Sequence, residues 1–174
     1  AATFGKFSTW VKNGGVAIGQ KRGALWLSEK GLLKANFVKQ HQLDQMYDTE
    51  SLGYKDKESL SARKRIAGAI FSSELDLGHP LAYGFNKEQL PLFRNNTYIM
   101  EKPKFPFATV AQYSKVPLMS GYTDRNLVNR IANSAAIVGH NMGHGRVIGT
   151  ADTLAFRGYW HGSAKLWANS LFFS

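Results

Sequence analysis

Three places in the chain carry residue types that could do chemistry. The first is Gly19-Gln20-Lys21-Arg22-Gly23, a turn between a short apolar run at 16–19 and a helical pattern at 24–33. Many α/β enzymes raise a nucleophile on such an elbow, where backbone N–H groups at the helix start stabilise an anion. Neither Cys nor Ser stands in it. Glutamine has no nucleophilic atom at neutral pH, and a lysine must be strongly desolvated to act as one. Two readings stay open: a tight strand-to-helix connection, and an anion-binding corner made of the same N–H groups with Lys21 and Arg22.

The second place is His140-Asn141-Met142-Gly143-His144, which has the two-histidine spacing of helical zinc sites. The intervening catalytic Glu is absent, and Gly139, Gly143 and Gly145 argue against a helix. The segment is expected to be a hairpin-like turn leading into a strand at 146–151. No His-x-x-Glu pair occurs anywhere, so no metal ligands are assigned. His79, between apolar residues and before Pro80, is expected to be satisfied by local backbone contacts.

The third is the stretch after that strand, Asp152 to His161, which would sit at the carboxyl edge of a sheet, where open α/β folds place ligands. Asp152, Arg157 and His161 could form a polar cluster there. An Asp capping the next helix and pairing with an Arg accounts for the same residues structurally. Nothing marks any serine as activated for a Ser-His-Asp arrangement.

Positioning these residues requires a sheet with helices on its faces. Phe4, Phe7, Trp10 and Val11 recur at helical spacing over 3–12, and Asn13-Gly14-Gly15 stops that helix. The pattern at 24–33 predicts a helix with Leu25, Leu32 and Leu33 inward. From 35 to 65 the chain turns polar, an excursion most marked over 40–65, expected to be helical around 38–46 and partly mobile over 49–61, with Tyr47 and Tyr54 as anchors. Five apolar runs then read as strands: 66–71, 98–100, 109–113, 135–138 and 146–151. Helices are expected at 125–133, through Leu127, Val128 and Ile131, and at 164–173, through Leu166, Trp167, Leu171 and Phe172. Alternating helices and strands predict an α/β fold.

Composition narrows the class. The chain has 174 residues, 44% of them hydrophobic, enough for one domain with a sizeable core. Without cysteine it has no disulfides, thiolate metal sites or thiol nucleophile. No apolar run approaches the roughly 20 residues that span a bilayer, so no membrane span is expected. Lys and Arg number 22 against 12 Asp and Glu, a net charge of +10. That charge is spread out. Its densest cluster, Arg63-Lys64-Arg65, lies near Asp56 and Glu58 and carries no aromatic ladder to stack bases, so nucleic acid is not the expected partner.

Several blocks, in order, resemble a family. They are Gly14-Gly15; Trp26-Leu27 with Glu29-Lys30-Gly31-Leu32-Leu33; Ala67-Gly68-Ala69-Ile70-Phe71; Leu75-Asp76-Leu77-Gly78-His79-Pro80-Leu81-Ala82-Tyr83-Gly84; Leu92-Phe93-Arg94; Ser120-Gly121-Tyr122; Gly145-Arg146-Val147-Ile148 with Ala151-Asp152; and Phe156-Arg157-Gly158-Tyr159-Trp160 with Gly162 and Lys165-Leu166. Together they look like the C-terminal domain of large bacterial zinc carboxypeptidases of the M14 type, a domain similar in fold to class I glutamine amidotransferases. The resemblance covers 3–173 and is weakest over 40–61. It implies a flavodoxin-like or amidotransferase-like α/β sandwich over residues 1–174, lacking its first strand or strands. In class I amidotransferases the elbow carries a catalytic cysteine, paired with a histidine beyond a later strand. Here those places hold Gly19-Gln20-Lys21 and Asp152, so the resemblance implies a scaffold without thiol chemistry.

The same resemblance implies a non-catalytic accessory domain of a secreted or periplasmic metallocarboxypeptidase. It places the zinc and the peptidase site in an upstream domain, with that domain as the partner in cis and no cofactor in this chain. The alternatives are a binding module for a small ligand, peptide or cell-envelope polymer, built on residues 19–23 with Asp152, Arg157 and His161, and a hydrolase with an unrecognised triad. An exposed sheet edge would also favour a homodimer.

Overall fold

A computed structural model describes residues 2–173. Helix α1 (Ala2–Lys12) ends at Gly14, whose φ of 118° suits a glycine, and the chain enters strand β1 (Val16–Gln20). Helix α2 (Arg22–Glu29) follows directly. It is shorter than the sequence pattern suggests because Gly31, with φ 70°, turns the chain, and the N–H groups of Leu32 and Leu33 both close on the Leu27 carbonyl. Ala24 and Leu27 form its buried face. Leu25 is only half-buried, whereas Leu32 and Leu33 reach the core from the turn beyond.

The remaining elements are α3 (Gln40–Asp44), α4 (Lys57–Arg63), β2 (Ala69–Leu75), β3 (Gln89–Arg94), β4 (Thr109–Gly121), α5 (Arg125–Ile131), β5 (Ala135–Met142), β6 (Gly145–Thr150) and α6 (Ala164–Phe172). One sheet takes all six strands in the order β1-β6-β5-β4-β2-β3. Only β1 and β6 run parallel, paired from Val16 with Arg146 to Gln20 with Thr150; every other pairing is antiparallel.

Two corrections to the expected strands have physical causes. Strand β3 is not among the expected five, since Pro91 interrupts its apolar run. It tolerates Pro91, opposite Ser72, because it lies at the sheet edge, where a missing N–H breaks no second ladder. The expected strand at 98–100 reduces to isolated bridges of Met100 with Phe37 and Ala135.

Successive residues of a strand point to opposite faces, and the core divides accordingly. On β6, Val147 joins Val11, Ala24 and Leu27 beneath α1 and α2, whereas Ile148 joins Phe71, Leu127, Ile131 and Leu166 beneath α5 and α6. Each such buried side chain contributes about 1.5–3 kcal/mol, so both layers are needed to hold the sheet. In α6 the inward face is Leu166, Asn169 and Ser170. Leu171 and Phe172, expected inside, are exposed. Asn169 is inside because its amide donates to the carbonyls of Leu81 and Tyr83.

The polar excursion docks on the start of α5. Asp124 caps that helix by accepting from the Asn126 N–H, and its other oxygen takes the Arg63 guanidinium at 2.8 Å. Tyr47 is buried there and donates to the Arg63 carbonyl; burial, with Asp124 nearby, pushes its phenol up to about 12. Tyr54, the other expected anchor, is exposed and anchors nothing.

Candidate functional site

The carboxyl ends of β1 and β6 meet at the elbow. Lys21 occupies its apex with φ 51° and ψ −116°, a conformation costly for any residue with a Cβ. Its N–H bonds the Thr150 carbonyl, tying the apex to the end of β6. Gly19 permits the sharp turn. A Cβ there would lie 2.7 Å from the Ala24 nitrogen, the Gly23 carbonyl carbon and a Leu27 methyl, so α2 could not pack so close to the strand. The Lys21 ammonium reaches across to Asn95, just past β3, at 2.6 Å.

Immediately beyond β6, Asp152 is buried, as is Arg94 at the end of β3. One guanidinium nitrogen of Arg94 lies 3.3 Å from both Asp152 oxygens and 2.8 Å from the Tyr113 hydroxyl. Its other terminal nitrogen donates to the Tyr98 carbonyl. Tyr113 in turn donates to Asp152, and the Asn96 amide adds a bond to the same carboxylate at 2.8 Å. Burial opposes the charge on Arg94, but Asp152 and Tyr113 outweigh it and hold the guanidinium above its ordinary pKa. Burial pushes Tyr113 well above its usual range; the Arg94 charge opposes the rise and the Asp152 charge adds to it. The carboxylate therefore has donors from Arg94, Tyr113 and Asn96. It neutralises a fixed cation.

Arg157 and His161, expected beside Asp152, do not join it. Both are exposed; Arg157 has a left-handed backbone (φ 51°) and lies over the Phe156 ring at 5.2 Å. The arginine that pairs with Asp152 is Arg94, not Arg157. Arg22 is exposed at the start of α2, and Gln20 is half-buried at the end of β1. The elbow thus gathers Gly19, Gln20, Lys21, Arg22 and Asp152 around one corner and leaves Arg157 and His161 outside it.

Sequence reading missed Arg94, Tyr113, Asn95 and Asn96 as parts of this corner. One signal was available: an Arg closing an apolar run, Leu90 to Phe93, is a charge about to be buried. Its partner stands 58 residues away, and spacing does not reveal it.

His79 and His140 resolve as backbone-bonded groups. His140 and His144 belong to a hairpin in which Met142 pairs with Gly145 across Gly143 and His144, with Gly143 at φ 64° in the first linking position. The His140 Nε2 accepts from the Lys34 N–H and its Nδ1 lies 3.0 Å from the Asn141 carbonyl. His79 caps a short 3-10 turn, its Nδ1 accepting from the Leu81 N–H at 3.1 Å. Among the described residues no three His, Asp or Glu side chains converge as a metal site.

No protein-family model matches the chain, and no curated protein is significantly similar to it in sequence. Solved structures do resemble it. PurLQS from Thermotoga maritima aligns at 18% identity and a TM-score of 0.53, over 96% of this chain and 66% of that one. A putative ThuA-like protein from Parabacteroides merdae aligns at 12% identity and a TM-score of 0.53, over 86% of this chain and 53% of the other. The chain thus spans between about half and two thirds of the length of these structures. The likeness shows the fold: a mixed α/β sandwich of the flavodoxin-like, class I glutamine amidotransferase-like kind.

Proposed function

We propose that this chain is a non-catalytic domain on an amidotransferase-like scaffold, serving as an accessory domain of a secreted zinc carboxypeptidase of the M14 type. The observation that carries the first half is the elbow. Its apex is Lys21, hydrogen-bonded to Asn95, in a chain without cysteine, and the carboxylate after β6 is neutralised by a buried arginine. The corner keeps the strained geometry that presents a nucleophile and contains no thiol to present. The second half rests on the ordered blocks of sequence resemblance, from Gly14-Gly15 to Lys165-Leu166. On this reading the zinc and the peptidase chemistry belong to an upstream domain, and this domain contributes stability and positioning.

The test is the native gene product. Its intact mass should exceed that of this chain, with a zinc-peptidase domain preceding it. Deleting this domain should lower the thermal stability of the parent and leave kcat on a small peptide substrate unchanged. A native product consisting of this chain alone would overturn the carboxypeptidase reading.

A further inference from the structure

At the opposite end of the sheet from the elbow lies a cavity of about 430 Å³. It is bounded by the loop after β2, the loop before β4, the end of β5 and the start of β6. That volume falls within the roughly 300–1,000 Å³ of small-molecule sites. Two charges that pair with no opposite charge among the described residues line it. Arg146 is held by the Asn141 side chain and the Phe173 carbonyl, which leaves one guanidinium nitrogen uncommitted; among the described residues no carboxylate lies within ion-pair distance of it. Asp76 accepts from the Gly78 N–H through one oxygen, and among the described residues no cation pairs with the other. The two do not bridge each other, so the cavity separates a cation from an anion.

The rest of the lining is a donor and an apolar wall. Because the Nδ1 of His79 accepts a backbone N–H, its proton sits on Nε2, a donor with no protein partner among the described residues. Both the Asp76 and Arg146 charges act on His79, in opposite directions. Phe105 is pinned edge-on to His140 at 6.1 Å and beneath the Lys34 ammonium at 4.2 Å. Phe107 is 91% exposed and held at φ 61°, a conformation rare for a bulky residue. An exposed aromatic ring lining a cavity lacks an apolar partner.

We infer that this cavity binds a free amino acid with an apolar side chain, its carboxylate on Arg146 and His79, its ammonium on Asp76, and its side chain against Phe105 and Phe107. A simple carboxylate would meet the Asp76 charge, and a simple amine would meet Arg146; a zwitterion satisfies both. This site is independent of the elbow and of the accessory-domain reading.

Titration of the chain followed by ¹⁵N–¹H correlation spectra tests it, with L-phenylalanine, phenylacetate and phenethylamine as probes. L-phenylalanine should bind with a Kd below ~1 mM, shift the amides of Asp76, His79 and Arg146, and exceed both partial analogues by ~10-fold or more. Arg146→Gln and Asp76→Asn should each weaken it by ~10-fold, and Phe107→Ala by a smaller factor. Asp76 is exposed and Asn can keep the Gly78 bond, so this variant reads the site even where Arg146→Gln unfolds the chain. No shifts with L-phenylalanine, phenylacetate binding equally well, or Asp76→Asn binding unchanged would each overturn the proposal.

Discussion

The two ends of the sheet treat charge in opposite ways. At the carboxyl end of β1 and β6, Asp152 lies against Arg94, with Tyr113 and Asn96 completing its shell, and Lys21 is fastened to Asn95. At the other end, Asp76 and Arg146 line a shared cavity without pairing. A buried charge must be compensated inside the protein, and one beside an open cavity can be compensated by a ligand. The end that resembles an enzyme's elbow therefore compensates its buried carboxylate internally, with the Arg94 Nε left without a partner among the described residues, and the end with no enzyme-like motif leaves its two charges facing a cavity.

Asp152→Ala is therefore expected to be the most damaging single change. It strands the buried Arg94 charge and should cost about 3–5 kcal/mol in urea unfolding, whereas Asp76→Asn should stay within about 0.5 kcal/mol. Equal effects would erase the difference between the two ends. Next in size is Gly19→Ala, which forces a Cβ into α2 backbone; about 1–3 kcal/mol should be lost, read by thermal denaturation. Lys21→Gly should change stability by less than about 1 kcal/mol, because relief of its positive φ offsets the lost Asn95 bond. A large loss there would mean that the lysine does more than close the corner.

The smallest effect is on pH dependence. Burial lowers the pKa of both His79 and His140 from 6.5, so the unfolded chain binds protons there more readily than the folded one. Their contribution is complete above pH 6.5 and is lost as pH falls through the lowered folded values. Stability measured across that window should fall with acidification. The His79→Gln variant should show a shallower slope, and an unchanged slope would place the effect elsewhere.

What the sequence disclosed was local. The elbow was legible because a strand, a glycine-flanked turn and a helix follow one another within a dozen residues, and the β5–β6 hairpin because Gly139, Gly143 and Gly145 exclude a helix. Non-local features were hidden. Pro91 disguised an edge strand, which in turn hid Arg94 as the partner of Asp152. Leu171 and Phe172 have helical spacing and still face water, since Asn169 and Ser170 take the inner face. Arg157 was placed beside Asp152 by nearness in sequence, but its backbone is left-handed and its guanidinium lies over Phe156, while Arg94 pairs with Asp152.

A hydrolysis screen of the purified chain on glutamine and on activated ester and anilide substrates, with Lys21→Ala and Asp152→Asn alongside, asks whether the elbow does chemistry. Ammonia, phenolate and aniline should be released at the buffer rate by all three proteins. Turnover above that rate, abolished in a folded Lys21→Ala or Asp152→Asn variant, would contradict this and make the elbow an active site.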